Sequence, residues 1–353
     1  MGKRIHDDDK TIIDVLFSPL KKAGSFIGKR IYDLKVRVKE KFPGKTKQST
    51  AKARRRKEAI FYYSLIAFPL LQFLVFYVAV NFNSILLSFK EYRVTGGQSG
   101  YIWVGLKNYS QFFIDFFTGP NLKQIALNSL IVYGCGLFVG VPLAILFSFY
   151  LYKGFPLTGA FKVLLFLPSI ISSVAMVLMY KYFADVGFPG AIQKLFGVKI
   201  KPPLSTASTR FGWIIFYNLF ISFGANVIMY TSAMTRIPPS LTEYARIEGV
   251  SYTQELFKIV IPMIFPTITT FLVVGVAGIF TNQANVYTFY GTGAGTDITT
   301  FGYFLFGKVI AGRSTMAEYP YAAAAGIIFT FIAVPVTLLV KHLLEKYGPT
   351  VEY

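Results

Sequence analysis

The sequence of 353 residues is 54% hydrophobic and 17% aromatic, which is too apolar for an ordinary pair of soluble domains. It predicts an all-α, polytopic integral membrane protein. The formal charge of +19 could indicate a nucleic-acid partner, but residues 1–59, which hold half of the 36 Lys and Arg, contain no nucleic-acid-binding motif. This basic segment precedes the apolar bulk directly, so it is interpreted as facing a membrane surface.

Residues 1–58 are predicted to form a basic N-terminal extension. From Ser18 to Val38, apolar residues recur at helical spacing among lysines and arginines, which predicts a basic amphipathic helix. That helix would lie on an anionic inner leaflet or pack on a partner subunit; a solvated extension is the alternative. No cleavable signal peptide is expected, because charged residues continue up to the first long apolar run.

Six apolar stretches follow, each near the ~20 residues that are needed to cross ~30 Å of hydrocarbon. They are predicted at residues 60–89, 124–151, 161–183, 211–235, 264–289 and 320–341. Lys and Arg concentrate in the loops on one side, and the positive-inside rule therefore places both termini in the cytoplasm. The transmembrane core is assigned to residues 59–345, followed by a short cytoplasmic tail, 346–353.

The charged segment 238–262 lies between the fourth and fifth apolar stretches and is predicted to form two short helices on the cytoplasmic side. Gly249 is expected to separate them, and Pro262 is expected to end the second. Each helix is predicted to begin with a capping box, formed by the pairs Ser240/Glu243 and Ser251/Gln254.

The spacing of Glu243, Ala245, Gly249, Ile259 and Pro262 resembles the EAA loop in the membrane subunits of binding-protein-dependent ABC importers. In that family the loop docks in a groove of the ATPase subunit. Tyr244 stands where the family usually has Ala, and Ile261 where it usually has Leu. The resemblance implies that the ATPase contacts are made by Glu243, Tyr244, Ala245, Ile247, Glu248 and Gly249.

Further elements occur in the order that is usual in sugar-importer permeases, so the resemblance covers residues 60–345. These elements are Tyr101–Tyr109, Asn128–Ser129, Leu165–Pro168, Gly291–Thr296 and Tyr321–Gly326. The resemblance implies six transmembrane helices with the fold of a type I ABC importer permease, of the carbohydrate-uptake class similar to the maltose and glycerol-phosphate systems. It also implies as partners a second related permease, two ATPase subunits and an extracytoplasmic solute-binding protein.

The sequence has no phosphate-binding loop, no metal-binding motif and no nucleophile triad, and its two histidines lie outside the apolar stretches. The chain is therefore predicted to carry no catalytic residue, no metal and no cofactor of its own. ATP and Mg are expected to be bound by the partner ATPase subunits.

Uncharged polar and aromatic side chains within the apolar stretches are candidates for a substrate route. Carboxamides can donate to and accept from sugar hydroxyls, and aromatic faces stack on pyranose rings. The alternative is that the amides tie helices together, which is favoured for Asn218 and left open for Asn282 and Asn285. The candidate substrate-binding residues are Tyr217, Asn218, Asn282, Gln283, Asn285 and Tyr287.

These observations predict a bacterial inner-membrane permease subunit that imports an oligosaccharide or related sugar by alternating access, driven by ATP in separate subunits. A permease for peptides, amino acids or metals remains the alternative within this family. A secondary carrier is disfavoured, because the second, fourth, fifth and sixth stretches carry no charged residue deep within them. A membrane scaffold that transports nothing is the last alternative.

Overall fold

A computed structural model of the chain describes residue 30 and residues 47–95 and 98–349. The chain divides into two compact units, residues 1–79 and residues 80–353. The amphipathic helix expected from Ser18 to Val38 lies outside the described residues, apart from Arg30.

In the first unit, helix α1 (Lys47–Gln72) is followed by a π-helical turn, Phe73–Ala79. Its apolar side chains are exposed from Ile60 onward. A helix that is apolar all round needs an apolar environment to cover it, so lipid or another subunit must surround this one.

The second unit contains the remaining helices and one hairpin. In chain order they are α2 (Val80–Ser88), β1 (Lys90–Thr95), β2 (Gln98–Trp103), α3 (Lys107–Thr118), α4 (Pro120–Cys135), α5 (Val141–Tyr152), α6 (Thr158–Ile170), α7 (Ser173–Tyr182), α8 (Phe188–Phe196), α9 (Ala207–Met234), α10 (Pro239–Ile247), α11 (Tyr252–Glu255), α12 (Ile261–Gly278), α13 (Val286–Tyr290), α14 (Phe301–Thr315) and α15 (Glu318–Tyr347).

Five helical stretches in the described part of the chain are long and apolar enough to cross a membrane, and a sixth is obtained if a bent pair counts as one span. The five are Ala53–Ser88, Pro120–Tyr152, Ala207–Met234, Tyr252–Gly278 and Glu318–Tyr347. The prediction of an all-α, multi-pass membrane protein is confirmed.

Two predicted spans differ from the structure. The third, 161–183, is not one helix but the bent pair, because α6 contains Pro168 and stops at Ile170, and the backbone is extended at Ile171 before α7 begins. The fifth, 264–289, starts earlier, at Tyr252, and ends at Gly278. Residues 279–285 that follow are not helical.

Prolines follow π-helical turns in three of the spans. The turns are Gly136–Gly140, Phe183–Gly187 and Leu256–Val260, and the prolines are Pro142, Pro189 and Pro262. The residue before each proline donates its backbone N–H to a carbonyl five residues earlier. A wider turn relieves the clash of a proline ring with the preceding turn, so these helices continue. The prediction that Pro262 ends a helix is therefore wrong.

The hairpin β1–β2 follows α2 directly, and its two strands are antiparallel, with Tyr92 opposite Tyr101. Lys107 and Arg93 both donate to the Glu91 carboxylate on β1, and these hydrogen bonds lower the pKa of Glu91. The element Tyr101–Tyr109 falls on the end of β2 and the start of α3.

Three buried clusters form the core of the second unit. The first joins α5, α9 and the start of α12 around Tyr230 and Ile264. The second packs α7 and α9 against residues 284–303 around Tyr217. The third joins α3, α4, α14 and α15 around Phe112 and Phe329.

Gly224 in α9 approaches the α6 backbone so closely that a Cβ atom would lie 2.2 Å from the Leu165 carbonyl oxygen. We therefore expect Gly224→Ala to destabilise the fold by about 1–3 kcal/mol, because the two helices must separate. Thermal unfolding of the purified protein in detergent or nanodiscs measures this. Gly212→Ala is the matched control in the same helix, since nothing lies within 4 Å of its Cβ position. Equal stability of the two variants would contradict the close packing of α6 on α9.

Candidate functional site

The segment 238–262 contains two short helices, α10 and α11, as predicted, but the first begins differently. Pro238 occupies the N-cap of α10 and Pro239 its first turn, with no side-chain cap. Proline at the first helical position costs no hydrogen bond, so the chain needs no serine cap there. The capping box predicted for Ser240 and Glu243 is therefore wrong.

The second capping box is confirmed. The Ser251 hydroxyl accepts from the Gln254 backbone N–H, and the Gln254 side chain accepts from the Ser251 backbone N–H. Gly249 separates the helices with φ of 70°. This left-handed conformation favours glycine. Together the cap and the glycine give the turn between α10 and α11 one defined geometry.

The predicted ATPase-contact residues divide between the outer and the inner face of α10. Tyr244 is 67% exposed and Ile247 is 79% exposed, while Glu243, Glu248 and Gly249 are also exposed. Ala245 is only 6% exposed and faces the core, which differs from the expectation that it contacts a partner. The exposed surface of this loop thus contains two large apolar side chains beside the carboxylates and Arg246.

An ion pair that the sequence reasoning missed lies at the base of the loop. Lys153, which caps the C-terminus of α5, donates to both carboxylate oxygens of Glu255 at 2.7 Å. Its partner lies 102 residues away at the end of α11. In the sequence, Lys153 follows one apolar stretch and Glu255 precedes another. Charges at such positions are too common to predict which two residues form a pair.

A cavity of ≈ 460 Å³ opens between α4, α9 and α12. Its polar lining comes from the side chains of Ser129, Tyr133, Asn226, Tyr230, Asn282 and Thr300. Apolar side chains and glycines of α12, among them Phe271, Gly275 and Gly278, form one wall. No charged side chain lines this cavity in the part of the chain that the structure describes.

Of the six candidate substrate-binding residues, Asn282 lines this cavity. Tyr217 is 1% exposed and packs between Tyr180 and Phe289, so its ring belongs to the core. Tyr287 is partly exposed and contacts Phe306.

Asn218 and Asn285 bind each other rather than lining the cavity. The Asn285 amide donates to Asn218 Oδ1 at 2.7 Å, and the Asn218 amide donates to the Ala284 carbonyl at 2.9 Å. Gln283 lies beside them, in the same non-helical segment. These contacts tie α9 to the segment after α12.

The lining residues that the sequence reasoning missed are Tyr133, Tyr230, Ser129 and Thr300; the last two also hold the backbone around the cavity. Thr300 Oγ1 donates to the Asn282 carbonyl at 2.8 Å, and the Phe301 N–H donates to Ser129 Oγ at 2.9 Å. Asn128 reaches the Thr296 and Thr299 carbonyls from α4. The Asn128–Ser129 pair within an apolar stretch was the available signal.

The described residues contain no group of three or more His, Cys, Asp and Glu side chains that could hold a metal ion.

The fold is that of a multi-pass helical membrane protein. Residues 136–348 match the family described as the binding-protein-dependent transport system inner membrane component. The match spans more than half of the chain, and the chain belongs to this family.

Curated relatives of this chain are permease proteins. The multiple sugar-binding transport system permease protein MsmF of Streptococcus mutans is 24% identical over 288 residues, covering 81% of this chain and 95% of the relative. The polygalacturonan/rhamnogalacturonan transport system permease protein YteP of Bacillus subtilis is 24% identical over 299 residues, covering 81% and 88%. The sn-glycerol-3-phosphate transport system permease protein UgpA of Yersinia pestis is 25% identical over 249 residues, covering 69% and 81%.

A solved structure has the same fold. It is a bacterial ABC transporter involved in the import of the acidic polysaccharide alginate, with a TM-score of 0.69 and 20% sequence identity. The similarity covers 84% of this chain and 99% of the other. The expected type I importer permease fold is thereby confirmed.

Asn218→Leu should loosen the segment after α12, because the Ala284 carbonyl and the Asn285 amide both lose a partner. Leaving such groups unsatisfied costs about 1–3 kcal/mol. Hydrogen–deuterium exchange of residues 282–290 should accelerate. Ser222→Ala is the control, since the Ser222 hydroxyl bonds only within α9. Unchanged hydrogen–deuterium exchange in Asn218→Leu would contradict the conclusion that Asn218 holds the segment after α12 to α9.

Proposed function

We propose that this permease imports a carbohydrate, and that ATP is bound and hydrolysed by separate ATPase subunits that dock on segment 238–262. The chain itself would carry no catalytic residue and no cofactor. The observation that carries the proposal is the rigid α10–α11 turn, which exposes Tyr244 and Ile247 beside carboxylates. Exposed large apolar residues with a charged rim are typical of a docking surface.

The position of this loop supports its role in coupling. It connects α9 directly to the continuous helical stretch Tyr252–Gly278, and residues of both helices line the cavity. Closure of two ATPase subunits on ATP would displace α10 and rotate these helices. To shift the ratio of outward to inward states from 1:99 to 99:1, ATP must bind the outward state more tightly by roughly 5.5 kcal/mol.

The cavity lining supports a neutral, hydroxyl-rich substrate. Amide, hydroxyl and aromatic groups can bind sugar hydroxyls and pyranose faces, and Asn282 supplies both donor and acceptor chemistry. Because none of the described residues brings a charged group to the cavity, an anionic sugar would need a counter-charge from the second permease. The similar permeases belong to transport systems for sugars, pectic polysaccharides and glycerol phosphate, which favours a sugar or sugar-like solute over peptides, amino acids or metals.

We place segment 238–262 and both termini in the cytoplasm, where the ATPase subunits would lie. The excess of Lys and Arg in the loops on that side supports this orientation. A second related permease and an extracytoplasmic solute-binding protein would complete the transporter.

The function is tested by purifying the wild-type complex and a Gly249→Pro variant, then assaying ATPase activity with sugar-loaded binding protein. Proline cannot adopt the φ of 70° at residue 249, so the turn should be lost. We expect the wild type to recover an ATPase that the correct sugar stimulates, and the variant to lose it. A wild type without ATPase, or a normally coupled variant, would refute the proposal.

Ile247→Asp should abolish ATPase co-purification without unfolding the permease, because Ile247 is exposed and its replacement puts a charge into an apolar contact. Loss of a central apolar contact typically costs about 2 kcal/mol or more in binding. Leu195→Asp is the control, since Leu195 is about equally exposed in α8, away from the loop. Retention of the ATPase by Ile247→Asp would place the docking surface elsewhere.

Asn282→Asp should lower import of a neutral sugar while leaving ATPase co-purification intact. The variant keeps the acceptor for the Ala284 N–H at 2.8 Å but removes the amide donor of a residue that lines the cavity. Loss of one hydrogen bond to the sugar predicts a fall of roughly fivefold, and the added charge should deepen it. Import into proteoliposomes measures the effect, and an unchanged rate would exclude Asn282 from the route.

A further inference from the structure

The ion pair between Lys153 and Glu255 is buried as well as bidentate. The Lys153 side chain is 5% exposed and that of Glu255 is 3% exposed. The Lys153 ammonium also lies 5.4 Å from the ring centre of Tyr252 and 5.7 Å from that of Phe149. Leu151, two residues before Lys153, and Leu256, next to Glu255, belong to the buried cluster of α5, α9 and α12.

Burial in such a setting is a poor way to gain stability. Desolvation of two charges offsets most of their attraction, so an apolar pair of similar volume would stabilise the fold as well. What the charged pair adds is a fixed relative orientation of the two helix ends. Two short hydrogen bonds from one ammonium to both carboxylate oxygens fix the end of α11 relative to the end of α5.

The pair also supplies a link that chain connectivity lacks. Segment 238–262 is joined covalently to α9 on one side and to α12 on the other. The second span, Pro120–Tyr152, has no such connection, although it lines the cavity through Ser129 and Tyr133. Further along α5, Ser148 donates to the Val227 carbonyl of α9 at 2.9 Å. At the end of α5 nearest the loop, Tyr152 is hydrogen-bonded to Thr242 of α10, and Lys153 is paired with Glu255 of α11.

We propose that the Lys153–Glu255 pair is a strut that transmits displacement of the 238–262 loop to the second span, so that the loop moves three cavity-lining helices instead of two. Both are positioning residues that contact neither ATP nor sugar. This inference rests on the proposed function, because it concerns how that coupling reaches the cavity.

The test uses the assembled complex in nanodiscs and measures the stimulation of ATPase activity by loaded binding protein, together with sugar imported per ATP. Lys153→Met and Glu255→Gln should keep basal ATPase activity but lose stimulation about fivefold or more. The double variant Lys153→Met/Glu255→Met leaves no charge stranded. It should regain wild-type thermal stability while stimulation stays low, which a purely structural role would not produce.

Two further variants complete the design. Glu255→Asp keeps the charge but shortens the arm by one methylene, and it should lower stimulation without loss of assembly. Lys341→Met is the control, because it breaks an exposed ion pair with Glu345 in α15 and should leave coupling unchanged.

Normal stimulation of ATPase activity in Glu255→Asp, or in the double variant, would overturn this proposal. A wild-type complex that shows no stimulation at all would instead count against the proposed function, so the two failures are distinguishable.

Discussion

Backbone amides and carbonyls inside a bilayer must find partners within the protein, and the second unit is organised around the place where its helices fail to supply them. Between Gly278 and Phe301 the chain is mostly non-helical, and its carbonyls accept hydrogen bonds from side chains of neighbouring helices and of the segment itself. Asn218 reaches Ala284, Thr300 reaches Asn282, and Asn128 reaches Thr296 and Thr299. Irregular backbone at this depth persists only where such partners surround it or where it borders a cavity.

The same constraint explains why polar residues in the spans serve two purposes. Asn218 and Asn285 are hydrogen-bonded to each other, and Asn218 also binds backbone carbonyls. Tyr217 packs between two aromatic rings. Asn282 bonds the next turn through its oxygen and still borders the cavity. The polar groups that fix the break thus also shape the lining, and a single residue can belong to both sets.

Sequence reasoning predicted what depends on composition and local chemistry. The spans follow from apolar length, and the Ser251 cap and the Gly249 turn follow from residue type. It missed what depends on distant partners: no local pattern pairs Lys153 with Glu255 or buries Ala245. It also treated Pro262 as a helix end, although a π-helical turn accommodates that proline. The hairpin had a local signal, since two glycines, Gly96 and Gly97, separate two stretches that contain aromatic and β-branched residues.

Continuity through Pro262 decides how motion can travel. Because α11, the π-helical turn and α12 form one helical stretch, Glu255 at its start and Gly275 in the cavity wall belong to one body. Twenty residues of helix span about 30 Å, so a small rotation at the loop becomes a displacement at the cavity. A helix that had ended at Pro262 would have absorbed that rotation in the turn. The wider turn therefore accommodates the proline and also keeps α11 and α12 in one continuous helical stretch, so that motion of the loop can reach the cavity.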